Sequence, residues 1–274
     1  MKIRKTLIIT LVALLATGAA RAQDAVGDVE DPSEVLKIAA LEALLAAPPE
    51  RALPLVTKVL DADNTAEVKE AALFVLSQID LPEAQQRLLD MAQSGDPNLA
   101  AEAVRMIGIS GDPEAMAGLD ALYSAGDEEL REAVLEAYLI AGDTDAVYDI
   151  AANAASAAEF EAAVQMLGAM GATEKLRSLS ETSGYTEELI QALGIAGGED
   201  VNQTLMELYR GAETDEIREA ALEGMLISGY DEGVLELYRE STDINEKREL
   251  LQMLAMMNSD LVLEVIDAAL EGGL

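Results

Sequence analysis

Apolar residues recur along the chain at the spacing of one helix face, and the pattern repeats. Aligning the segments that begin at Met106, Ala137, Met166, Ala192 and Gly224 brings a glycine to one column: Gly111, Gly142, Gly171, Gly197 and Gly229. Asp80 and Asn258 extend the column in both directions, at intervals of 31, 31, 29, 26, 32 and 29 residues. Four residues before it stand Leu76, Ile107, Tyr138, Leu167, Leu193, Met225 and Leu254. Eight before it stand Ala72, Ala103, Val134, Ala163, Leu189, Ala221 and Leu250. All fourteen are apolar or aromatic, as one buried stripe of a helix requires. Glycine, asparagine and aspartate tolerate the left-handed conformation at a helix C-terminus, so the column predicts a helix stop.

Three residues past the stop, polarity reverses. Glu83, Glu114, Asp145, Glu174, Asp200 and Glu232 occupy that position, and Leu261 alone breaks the series. Carboxylates suit the positive end of a helix, so a second helix starts there. Asp112 and Asp143 are placed to cap it, and Pro82 and Pro113 fall where a first-turn proline is tolerated. Each unit is therefore a helix of about 13 residues, a tight turn and a second helix of about 10. Seven copies follow from the column. An eighth precedes them, with helices near Ser33 to Ala46 and Pro49 to Leu60 and a Pro48-Pro49 turn. The short interval from Gly171 to Gly197 predicts a trimmed second helix near Leu176 to Glu181. Such units bury their apolar faces only by stacking on their neighbours, so the expected fold is all-α, an α-solenoid.

Glu216-Ile217-Arg218-Glu219-Ala220-Ala221-Leu222 followed by Gly229, and Glu67-Val68-Lys69-Glu70-Ala71-Ala72-Leu73, resemble the first helix of HEAT repeats. The closest type is the short bacterial HEAT-like repeat of about 30 residues, also found in phycobilisome lyase subunits. The resemblance covers roughly Ser33 to Leu270. The tetratricopeptide alternative has a 34-residue period that does not fit. The HEAT resemblance implies a right-handed superhelix of about eight repeats, with the second helices on the concave side, serving as a scaffold for protein partners. An accessory subunit of an enzyme, or a lyase-like HEAT protein, is the alternative it leaves open.

Composition narrows the chemistry. Half the residues are apolar but only 3% are aromatic, so the core must come from alanine, leucine, valine, isoleucine and methionine, mostly good helix formers. Histidine and cysteine are absent, which removes imidazole bases, thiolate nucleophiles and the usual zinc ligands. Acidic residues are too evenly spread to single out a catalytic carboxylate pair. Asp61-Ala62-Asp63-Asn64 lacks the glycine and terminal glutamate of a calcium-binding EF-hand and is expected to be a solvated loop. Neither an enzyme nor a cofactor or metal site is expected.

Residues 1–22 have a basic start (Lys2, Arg4, Lys5), an apolar stretch from Thr6 to about Thr17, and Ala20-Arg21-Ala22 as a small-x-small cleavage site, the parts of a secretory signal. About a dozen apolar residues are too few to span a bilayer. The expected organisation is a cleaved signal over 1–22, an acidic flexible segment over 23–32 and the solenoid over 33–274. The expected location is the periplasm, with secretion as the alternative. The full chain has 18 basic and 52 acidic residues, a net charge of −34. Cleavage removes four basic residues and no acidic one, leaving −38 over 252 residues. Such a charge repels nucleic acid and anionic lipid and steers a basic protein partner; solubility or a saline habitat would also account for it.

One motif recurs within the second helices. Glu207-Leu208-Tyr209-Arg210 and Glu236-Leu237-Tyr238-Arg239 are the same tetrapeptide 29 residues apart. Stacking would set Tyr209 beside Tyr238 and Arg210 beside Arg239, residue types enriched at interface hot spots. Tyr123, in the matching stretch Leu119 to Tyr123, is placed to extend this ladder at a distance. These four are the candidate partner-binding residues. The structural alternative is that the tyrosines complete the core while the arginines pair with carboxylates.

Overall fold

The computed structural model describes residues 31–93 and 96–257, with 263, 265–267 and 270 beyond them. Residues 1–22 and the acidic stretch as far as Glu30 lie outside the described residues, as do Asn258 and Leu261 of the repeating columns. Among the described residues all regular structure is helical, with sixteen helices in sequence. The chain divides between Ile79 and Asp80 into two compact units.

The first unit contains α1 (Pro32–Leu44), α2 (Pro49–Asp61) and α3 (Ala66–Ser77). Both α1 and α2 pack on α3, and Leu41, Val56, Leu60, Val68, Leu73 and Leu76 are buried. Asp31 caps α1, its Oδ1 accepting the Ser33 amide at 2.9 Å, and Pro32 takes the first helical position. Asn64 serves as a staple: its Nδ2 donates to the Val59 carbonyl and its Oδ1 accepts from Lys37 Nζ, both at 2.8 Å. The loop expected to be merely solvated therefore ties α1 to α2.

The second unit continues with α4 (Pro82–Ala92), α5 (Pro97–Ser110), α6 (Pro113–Ala117), α7 (Leu119–Ala125), α8 (Glu128–Ala141), α9 (Thr144–Ala152), α10 (Ala157–Ala169) and α11 (Thr173–Ser183). It ends with α12 (Glu187–Ala196), α13 (Glu199–Gly211), α14 (Asp215–Ser228), α15 (Asp231–Glu240) and α16 (Ile244–Met256). All five column glycines have positive φ, from +61° to +74°. At three of them the carbonyl four residues before the stop accepts the amide just after it: Tyr138 from Asp143, Leu167 from Ala172 and Met225 from Tyr230, each at 2.9 Å. These bonds satisfy carbonyls that a helix end would leave orphaned. All fourteen residues of the predicted apolar stripe are at most 2% exposed.

Asp112 Oδ1 accepts the Glu114 and Ala115 amides, both at 3.0 Å, and Asp143 Oδ1 accepts Ala146 at 3.1 Å, as the spacing predicts. Two helix lengths differ from expectation. The short interval does not trim α11, which keeps 11 residues; it shortens the following first helix, α12, to 10. Gly184, with φ +77°, ends α11, and the Thr186 hydroxyl caps α12 by accepting the Leu189 amide. The second helix of the third repeat is split into α6 and α7 at Gly118, where a Cβ would come within 2.7 Å of Leu89 Cδ2.

The first helices of successive repeats approach through small residues. A Cβ on Gly108 would lie 2.6 Å from Ala137 Cα, one on Gly168 2.7 Å from the Ala192 carbonyl oxygen, and one on Gly194 2.8 Å from Gly224 Cα. Each glycine stands three residues before its stop, and each partner five before the next. Thus α5 packs closely on α8, α10 on α12 and α12 on α14. Between α8 and α10 the same positions hold Leu139 and Met166, and between α14 and α16 they hold Leu226 and Met253. There the first helices scarcely touch, and the preceding second helices, α9 and α15, pack on α10 and α16.

Two glycine substitutions separate packing from helix propensity. Gly194→Ala is expected to lower unfolding stability by about 1–3 kcal/mol through overpacking. Gly211→Ala, at a helix position with nothing within 4 Å, is expected to raise it by about 0.4–1 kcal/mol. Urea unfolding of both variants checks this; a similar shift in both would contradict the packing assignment.

Candidate functional site

The repeated tetrapeptides lie in the last turns of α13 and α15. Tyr209 is buried at 8% exposure, and its hydroxyl donates to Glu246 Oε1 on α16 at 2.8 Å. The same glutamate accepts from Ser241 Oγ through its other oxygen. Arg210 reaches α15, its Nη2 lying 2.6 Å from Glu236 Oε1 and 2.8 Å from Glu240 Oε2. Tyr238 is half-buried, with Lys247 Nζ 4.8 Å from its ring centroid. Arg239 is exposed and makes no hydrogen bond or ion pair among the described residues. The identical tetrapeptides thus do not give identical contacts: Tyr209 and Arg210 bind carboxylates of later helices, whereas Tyr238 and Arg239 keep a polar edge toward solvent. Tyr123 is buried in α7, with the Arg131 guanidinium 5.8 Å from its ring centroid.

Burial raises three phenol pKa values. Tyr123 is pushed up to about 12 by desolvation and then by the Glu159 carboxylate. Tyr138 is raised by burial and by its bond to Asp120 Oδ1 at 2.7 Å. Tyr209 is raised by burial and by Glu246.

The six carboxylates three residues past the stops all stand exposed in first turns of second helices. Lys175 pairs with Asp145, and Arg177 Nη1 lies 3.5 Å from Glu174. Glu83, Glu114, Asp200 and Glu232 have no ion pair among the described residues. No group of three or more Asp or Glu side chains converges as a metal site among the described residues. A groove of about 370 Å³ lies between the α4–α5 and α7–α8 turns, walled by Ala92, Pro97, Ala100, Leu122 and Leu130. Asp127 on its rim caps α8 through the Leu130 amide at 3.0 Å.

A further set of surface residues was not singled out from the sequence. Two positions before the stops from Gly111 onward stand Ile109, Ile140, Ala169, Ile195, Ile227 and Met256, with Gln78 before Asp80; Ile140, Ile195 and Ile227 are 45%, 46% and 43% exposed. The signal was available in the alignment that revealed the buried stripe, but an apolar column two residues from a stop could equally have been core. Exposure separates the two.

Residues 24–96 and 53–139 match the family model for HEAT repeats. Those matches, with the helix pairs that continue the same period as far as α16, show HEAT-like repeats stacked as an all-helical α-solenoid. Among solved structures it is similar to the complex of CpcE and CpcF of phycocyanin lyase from Nostoc sp. PCC7120. The identity is 20%, over 82% of this chain and 94% of that one, with a TM-score of 0.38. It is also similar to human deoxyhypusine hydroxylase in complex with glycerol, at 17% identity over 82% and 97% of the two chains, with a TM-score of 0.34. No curated protein matches the chain. No helix among the described residues is long and apolar enough to cross a membrane.

The raised phenol pKa values set an alkaline limit. A group whose pKa is higher folded than unfolded contributes stability that is fully present below its unfolded value, near 10 for tyrosine, and lost as pH climbs through the folded value. The melting temperature is therefore expected to fall as pH rises above about 10. The fall should be shallower in a Tyr138→Phe, Tyr209→Phe double variant. Thermal melts from pH 8 to pH 12 check this, and parallel curves for both proteins would contradict it.

Proposed function

We propose that the protein is an exported, non-enzymatic HEAT-repeat scaffold that binds another protein, basic in character, in the periplasm. The observation that carries the reading is the row of first-turn carboxylates, four of them without an ion pair among the described residues. Carboxylates that neighbouring cations neutralise would contribute little outside the molecule. Exposed ones without such partners sum to a negative field that steers and orients a cationic surface. The 52 acidic residues against 18 basic extend that field over the chain.

Export is supported by the three-part signal pattern of residues 1–22. A non-enzymatic role is supported by the absence of histidine and cysteine and by the even spread of the carboxylates. Within the acidic surface, Tyr238 and Arg239 offer an amphipathic ring and a planar donor group for contact with a partner. Arg210 and Tyr209 hold the helices that carry them through Glu236, Glu240 and Glu246.

Affinity capture from periplasmic extract, identified by mass spectrometry at about 0.05 M and about 0.5 M salt, tests the reading, since such a change shortens the screening length severalfold. The expected result is a basic partner retained at low salt and released at high salt. In an Arg210→Ala, Arg239→Ala variant, capture should weaken while the melting curve stays nearly unchanged, because exposed ion pairs contribute only about 0–1 kcal/mol. A partner whose association ignores ionic strength would overturn the electrostatic reading.

A further inference from the structure

Exposed isoleucine recurs at one structural position. Scattered apolar side chains on a surface need no explanation, but the exposed Ile140, Ile195 and Ile227 and the half-buried Ile109 all stand in the last turn of a first helix, two residues before its stop. This position is separate from the buried stripe, which lies four and eight residues before the stop. Isoleucine is also a poorer helix former than the alanine, leucine or glutamate used elsewhere in these helices. Local helix stability therefore does not account for it.

The row comes in two pairs. Ile109 and Ile140 lie on α5 and α8, and Ile195 and Ile227 on α12 and α14. These are two of the junctions where the first helices approach through small residues, Gly108 with Ala137 and Gly194 with Gly224. Close packing sets neighbouring helix axes about 8–10 Å apart, so the second pair presents two exposed branched apolar side chains at about that spacing. Between the pairs, α10 carries Ala169. After them, Met256 on α16 continues the row at 64% exposure.

The second pair is bordered by negative charge. Glu199 and Asp200 follow Ile195 by four and five residues, and Asp231 and Glu232 follow Ile227 by the same intervals. None of these four carboxylates is in an ion pair among the described residues. Arg177 approaches α13, but its Nη2 donates to the Asp200 carbonyl at 2.9 Å and to the Thr204 hydroxyl at 3.3 Å, while its Nη1 pairs with Glu174. Arg210 and Arg239 stand at the opposite ends of α13 and α15. The turn edge therefore presents two apolar side chains bordered by acids.

We propose that Ile195 and Ile227, with Glu199, Asp200, Asp231 and Glu232, form a docking edge for a basic amphipathic helix of a partner protein. Its apolar residues seven apart, about 10.5 Å along a helix, would meet the two isoleucines, and its flanking lysines or arginines would meet the carboxylates. The inference rests on the scaffold reading and moves the principal contact from the second-helix tetrapeptides to the turn edge.

The probe is an 18-residue amphipathic Leu/Lys helical peptide, compared with Leu/Glu and Ala/Lys peptides of the same length, with binding read by fluorescence anisotropy. The purified protein is expected to prefer Leu/Lys over both. Ile195→Ala with Ile227→Ala should weaken Leu/Lys binding about tenfold or more without lowering the melting temperature, because alanine is the better helix former. Ala/Lys binding should be unchanged. Salt-sensitive Leu/Lys binding that stays within twofold in the alanine variant would overturn the docking edge and leave the basic-partner reading standing. Failure to bind Leu/Lys at all would overturn both. A dimer in sedimentation that the same substitutions dissociate would assign the edge to a second copy of the chain and overturn the proposal.

Discussion

How closely one first helix can approach the next controls this repeat array. At three junctions the approach is set by a glycine facing alanine or glycine, and a Cβ on that glycine would fall within 2.6–2.8 Å of opposing backbone. Interiors packed at crystal density leave no room for that extra carbon. Where Leu139 and Met166 stand instead, the first helices separate and α9 carries the contact to α10. A choice of residue size at two positions per repeat thus decides which layer of helices transmits the stack.

The acidity has two components. Six aspartates, Asp31, Asp96, Asp112, Asp127, Asp143 and Asp243, cap helices through their side chains. Further carboxylates sit in first turns, where the helix dipole favours them. This share of the charge builds the fold and needs no partner. The remainder, largely exposed among the described residues, far exceeds the basic residues available to neutralise it and forms the field on which the proposed function depends. Arg105 with Glu136, Lys175 with Asp145 and Arg210 with Glu240 join neighbouring repeats across about one period. Part of the scarce positive charge is therefore spent on cohesion between repeats.

Most of the fold was legible in the sequence because it depends on local patterns: an apolar spacing of four, a glycine stop and an acid three residues later. All fourteen stripe residues are buried and all five glycines have positive φ. What was not legible depends on contacts between repeats. Which helix absorbs the short interval was settled by Gly184 and Thr186, whose roles as stop and cap depend on the local backbone. The fates of Tyr209 and Tyr238 diverged although their tetrapeptides are identical, because what each meets lies on α16, outside the motif. The isoleucine column was visible as letters, but only burial distinguishes a surface row from a core one.

Hydrogen exchange followed by mass spectrometry on the free protein tests most directly whether small-residue contacts between first helices govern the cohesion of the array. Amides of α5 with α8, and of α10 with α12 and α14, are expected to be protected as two blocks, with faster exchange where Leu139 and Met166 separate α8 from α10, since poorly packed segments open locally. Uniform protection through α8 and α10, or greatest protection there, would contradict that control.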